Sequence, residues 1–186
     1  DVYKRQPLRV CKNQRIHIHK VFKGIAQRGK CSMGWFFGFK LNLICNEKGE
    51  LLNFMITPGD VDDRKPLEYK DFVDFIYGKL VGDKGYISKN LFQRLCVDGI
   101  QLITKLKSNM KGALMSVSDR LLLRKRAIIE TVNDELKNIA QVEHSRHRCF
   151  DNFIVNLLGA IAAYCLFPKK PCINVQRTID TQLALF

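Results

Sequence analysis

An α/β fold, a mixed sheet with helices on both faces, is predicted by three features of the 186-residue sequence. A β-hairpin pattern fills residues 37–57, short helix and strand patterns alternate from 63 to 106, and two long helical patterns follow. Hydrophobic residues make up 46% and charged residues 26%, a mix that excludes a wholly disordered chain.

The elements follow in chain order. Phe37 to Cys45 alternates Phe39, Leu41, Leu43 and Cys45 with Lys40, Asn42 and Ile44, as a strand does. Asn46 to Gly49 reads as a turn, and Leu51 to Thr57 as the return strand. Asp63 to Tyr77 carries Leu67, Phe72, Phe75 and Ile76 at helical spacing. Lys79 to Asp83 is a short strand ended by a charge and Gly85. Ser88 is an N-cap for a helix over Lys89 to Val97, stopped by Gly99. Gln101 to Leu106 is a strand, Val117 to Ala140 one long helix, and Asn152 to Leu166 a second, apolar one. These elements make one domain, residues 1–167, followed by a loose tail, 168–186. Residues 1–6 precede the first recognisable pattern and are set apart as a candidate foreign stretch.

Lys and Arg number 31 against 18 Asp and Glu, a formal net charge of +13. A globular chain this basic is matched to a polyanion. Residues 1–45 hold ten Lys or Arg and one acid, Asp1. Most of this charge falls in Arg9 to Lys30, read as an exposed basic loop in which Arg15, Lys20, Lys23 and Arg28 are DNA-binding candidates. Seven cysteines without a C-x-x-C pair argue against a disulfide framework and for a reducing cytosol. The longest apolar run, Phe153 to Phe167, falls short of the roughly 20 residues a membrane span needs and reads as a buried helix.

Two acids carry the chemical expectation. Asp83 ends an apolar strand before Gly85, at the rim where α/β sheets bind ligands. Glu130 shares a helix stripe with Arg126, Asn133 and Lys137, while Leu121, Ile128, Ile129, Val132, Leu136 and Ile139 share the core side. Each alone has a plain structural reading, a turn Asp and a solvated Arg–Glu pair. Together, in a basic chain, they match phosphoryl transfer assisted by two Mg²⁺ (or Mn²⁺) ions about 3.5–4 Å apart, with Asp83 and Glu130 as metal ligands.

Asp83-Lys-Gly-Tyr86, followed by Arg126-x3-Glu130-x6-Lys137, resembles the DDE transposases of bacterial insertion sequences, and most of all the insertion sequence 982 family. Further matching segments are Lys20 to Gly24, Gly38 to Leu41, Thr57 to Asp63 and Glu143 to His147, so the resemblance runs from Pro7 to about Phe167. It implies an RNase H-like fold and metal-dependent cleavage and strand transfer at terminal inverted repeats, with Asp83 and Glu130 catalytic and Arg126 and Lys137 supporting. It also implies a homodimer on DNA and a bacterial, nucleoid-associated protein in the cytoplasm, away from membranes. The sequence departs from the family at two positions: the signature Tyr is Leu123, and the first catalytic Asp corresponds to Lys4. The family's N-terminal helical DNA-binding region is absent from these residues.

Other signals are weaker. His17-x-His19 and His144-x-x-His147 lack the usual zinc-ligand spacing. Trp35-Phe36-Phe37 reads as packing at a strand entry, with base stacking as the alternative. The competing functions are a non-catalytic DNA-binding remnant of a transposase, lacking the first Asp, and another RNase H-like nuclease.

Overall fold

The computed structural model describes residues 1–105, 115–143 and 147–172. Among these residues, six strands form one mixed sheet: β1 (Val2–Cys11), β2 (Gln27–Cys31), β3 (Gly34–Cys45), β4 (Leu51–Pro58), β5 (Gly78–Gly82) and β6 (Ile100–Thr104). β3 pairs antiparallel with β1, from Val2 opposite Cys45 to Cys11 opposite Phe37. Its other edge is divided, with β2 beside Gly34 to Gly38 and β4 beside Phe39 to Cys45. β5 lies parallel to β6 along its whole length, but meets β1 only through Val2 opposite Val81.

Among the described residues, five helices accompany the sheet: α1 (Lys70–Val73), α2 (Lys89–Val97), α3 (Val117–Lys125), α4 (Ala127–Asn138) and α5 (Phe150–Cys165). They cover both faces, as the sequence predicts. On the first face Leu8, Val10, Phe39, Leu41 and Leu43 pack against Ile129, Val132 and Leu136 of α4 and Phe153, Leu157 and Tyr164 of α5. On the second, Tyr3, Ile44, Leu80 and Leu102 pack against Leu67, Phe72, Leu91 and Leu95. Each such side chain contributes about 1.5–3 kcal/mol when fully buried. Among the described residues, no helix is long and apolar enough to cross a membrane.

Several expected elements change. Arg9 to Lys30 is not simply a loop: it contains the end of β1, a 3₁₀ turn at Asn13–Arg15 and most of β2. The helix expected over 63–77 shrinks to a 3₁₀ turn at Lys65–Glu68 and the single turn of α1, because Pro66 has no amide hydrogen to continue an earlier turn. The long helix over 117–140 is broken at Arg126. Leu121, on the α3 side of the break, and Ile139, just past the end of α4, are exposed and do not join the buried stripe. Ser88 does cap α2, its Oγ accepting from the Leu91 amide at 3.5 Å. The expected tail lies outside the described residues from 173 onward.

A polar cluster pins the Thr57 to Asp63 segment on the second face. The Tyr3 hydroxyl donates to the Asp63 carbonyl (2.7 Å) and lies 3.0 Å from Asn42 Oδ1. Arg5 Nε donates to Asp63 Oδ2 (2.7 Å), and the buried Lys40 ammonium lies 2.8 Å from Asp63 Oδ1. Successive residues of β1 point to opposite faces, so Tyr3 and Arg5 serve this cluster while Lys4 and Gln6 face α4.

Candidate active site

Lys4, Asp83, Arg126 and Glu130 come together in one charged cluster on the first face. β5 carries Asp83 to its C-terminal end, where the carboxylate caps the 3₁₀ turn Lys84–Tyr86 and accepts from the Lys84 amide at 2.7 Å. Arg126 stands at the break between α3 and α4, and its Nη1 donates to Asp83 Oδ1 at 3.0 Å. Glu130 lies one turn further along α4, and its Oε1 accepts from Lys4 Nζ at 2.8 Å. Arg126 and Glu130 share a helix face, as their spacing predicts. Each reaches a different partner, so the ion pairs link α4 to β1 and β5.

The acids are half exposed, and their cations set their charge. The Lys4 hydrogen bond holds the Glu130 carboxyl below the ordinary range, outweighing partial burial. Burial pushes Asp83 up, but the Lys84 amide and the Arg126 guanidinium together hold it below its usual value.

A groove of about 340 Å³ opens beside Glu130, lined by Lys4, Gln6, Arg9, Glu130, Asn133, Lys137 and Glu143, with Met33 at its side. Gln6 Nε2 donates to Glu143 Oε1 (3.1 Å), and Lys137 Nζ lies 3.2 Å from Glu143 Oε2. Glu130, Asn133 and Lys137 line the groove along one stripe of α4. Sequence reasoning does not single out Gln6, Arg9 or Glu143 as site residues. The signal for Gln6 is its position two residues after Lys4 in a strand, which places both on one face.

The DNA-binding candidates Arg15, Lys20, Lys23 and Arg28 are all exposed, spread between the 3₁₀ turn after β1 and β2. His19 stacks on Phe22, with ring centroids 5.4 Å apart, and His144 lies outside the described residues. Among the described residues, no group of three or more His, Cys, Asp or Glu is placed to hold a metal.

A profile described as a transposase DDE domain matches residues 3–150, which include the whole charged cluster. The chain belongs to the DDE transposase family. That family comprises phosphoryl-transfer enzymes that generally use divalent metal ions. No curated protein is a significant match. Among solved structures, the chain is similar to a piggyBac transposase determined by cryo-EM as a synaptic complex with hairpin DNA. The two share 11% identity at a TM-score of 0.55, over 88% of this chain and 45% of that one. The likeness establishes the RNase H-like fold, and this DDE domain spans less than half the length of that transposase.

The residues present do not fit a pair of divalent ions. Two carboxylates are available, each with one oxygen already held by a cation. Lys4 adds an ammonium, which repels a metal, where a third carboxylate would be needed. What the cluster offers in this state is fixed, charge-neutralised carboxylates, with Glu130 at a groove of mixed charge lined by Lys4, Arg5, Arg9 and Lys137 together with Glu130, Asp134 and Glu143.

Proposed function

We propose that this chain is the catalytic domain of a DNA transposase of the insertion sequence 982 group, acting on terminal inverted repeats and target DNA as a homodimer. The observation that carries this reading is that Asp83, from the end of β5, and Glu130, from α4, are held in one charged cluster by Arg126 and Lys4, with Glu130 and Lys4 lining the groove. In this reading Arg126 orients the Asp83 carboxylate, while Lys137 and Arg9 position a phosphate in the groove. Arg15, Lys20, Lys23 and Arg28 hold the flanking backbone.

The Lys4–Glu130 pair favours a second reading for the sequence as it stands: DNA binding without cleavage. Lys4 neutralises one of the two acids and takes the place the family gives to its first Asp. The Lys4→Asp variant separates the two readings. Strand transfer on inverted-repeat DNA, dependent on Mg²⁺ or Mn²⁺, is expected from the variant and not from the parent chain. Equal activity in both would mean that the first acid lies elsewhere; DNA binding by both, with cleavage by neither, would leave the binding reading alone.

A further inference from the structure

We infer that the β2–β3 hairpin is a stacking platform for an unpaired base at a DNA end, with Trp35 as the stacking surface. The inference rests on the proposed DNA binding and adds a contact to a base where that reading has contacts to phosphates only. The hairpin turns tightly through Ser32 and Met33. Immediately beyond, Phe36 is 1% and Phe37 8% exposed, whereas Trp35 is 60% exposed. The strand-entry packing expected for the Trp35 to Phe37 run therefore holds for the phenylalanines and fails for the tryptophan. So large an open aromatic surface is unusual for a residue type that is highly buried on average.

Three features suit this ring to a nucleotide base. Its main chain is fixed, because Asn13 Nδ2 donates to the Trp35 carbonyl at 3.0 Å. Lys30 lies directly opposite Trp35 in the hairpin, with its ammonium over one face of the ring, 5.9 Å from the centroid, so a base takes the other face or displaces the ammonium toward the adjoining phosphate. Third, Met33 at the hairpin tip is 79% exposed and lines the groove that holds Lys4 and Glu130. A base on Trp35 would thus belong to the strand whose phosphate enters that groove.

Charge selects the occupant. Between residues 2 and 46 there is no acid, while within β2 Lys30 lies opposite Trp35 and Arg28 opposite Phe37. An aromatic surface set in a purely cationic segment fits single-stranded nucleic acid. Inside a duplex the base faces are already stacked, so the platform requires an unpaired nucleotide.

Trp35 is the one tryptophan of the chain, so its fluorescence reports directly on the platform. The full chain is titrated with a blunt duplex and with the same duplex carrying a short single-stranded extension. Quenching is expected with the extended DNA and not with the blunt one. Trp35→Ala should weaken binding of the extended duplex roughly five-fold or more and leave the blunt duplex unchanged, while Trp35→Phe retains most of the affinity. Equal quenching by both DNAs, or unchanged affinity in Trp35→Ala, would overturn the platform while leaving phosphate binding intact. Quenching on raising the protein concentration without DNA would assign the ring to a second copy instead. If neither DNA binds the parent chain, the DNA reading itself fails.

Discussion

Lys4 Nζ sits 2.8 Å from Glu130 Oε1, so a cation from β1 is hydrogen-bonded directly to the acid that α4 presents. The pair leaves Glu130 charge-neutralised where it lines the groove.

In the Lys4→Asp background, Asp83→Asn and Glu130→Gln are each expected to reduce strand transfer roughly a hundred-fold or more while leaving DNA affinity unchanged. An amide preserves the size of the carboxylate and removes its charge, and altering even a group behind a metal ligand typically costs 10–100-fold. Lys137→Ala should be milder, because Lys is a point charge toward phosphate. Gel-based strand-transfer and binding assays run in parallel check both expectations.

DNA affinity should fall steeply with salt. Each duplex phosphate neutralised contributes about −0.9 to the slope of log K against log salt. Replacing Arg15, Lys20, Lys23 and Arg28 with Ala should flatten the slope by about 0.9 for each phosphate no longer neutralised, measured by fluorescence anisotropy over a salt series. An unchanged slope would remove this segment from the DNA interface.

Acid should destabilise the fold in a defined window. Glu130, Asp83 and Asp62 all have folded-state values below their unfolded ones, Asp62 reaching about 2 through its hydrogen bonds to Arg64. Their contribution is fully present above the unfolded carboxylate values of about 4 and is lost as the pH falls through the depressed values. The thermal midpoint should therefore drop between about pH 4 and pH 2. Glu130→Gln should make that drop shallower, and added salt should weaken the effect because these pairs are solvent-exposed.

Lys40→Ala should cost about 2 kcal/mol in urea unfolding, below the usual range for breaking a buried pair because Asp63 is partly exposed and keeps Arg5. Arg64→Ala, at an exposed pair with Asp62, should cost under about 1 kcal/mol.

The hairpin of β3 and β4, the strands β5 and β6, and helices α2 and α5 are legible in the sequence because their apolar periods and stop signals agree. β1 is hidden because two of its positions on the first face, Lys4 and Gln6, are polar; they face the groove, and the alternation is broken where the strand supplies the site. β2 is hidden by Arg28, Lys30 and Gly29, which read as loop chemistry. Asp83 and Glu130 can be named from a strand end and a helix stripe. Their actual partners cannot, since Lys4 with Glu130 and Arg126 with Asp83 are pairings across the fold that helix spacing does not encode. The break at Arg126 has no Gly or Pro to announce it.

The single bridge between β1 and β5 has a consequence for the order of opening. The backbone of β5 meets β1 at Val2 opposite Val81 and through the Asp1 main chain, while Tyr3 packs against Leu80 and Leu102 and the Lys79–Asp119 pair at 2.7 Å ties β5 to α3. β1 and β3, by contrast, are zipped along nearly their full length. Amide hydrogens of Leu80 to Gly82 should exchange with solvent through a sub-global opening that leaves the β1–β3 ladder protected. Because Asp83 rides on β5 and Glu130 on α4, an opening along that seam would move the two acids apart, against the Arg126–Asp83 pair that spans it.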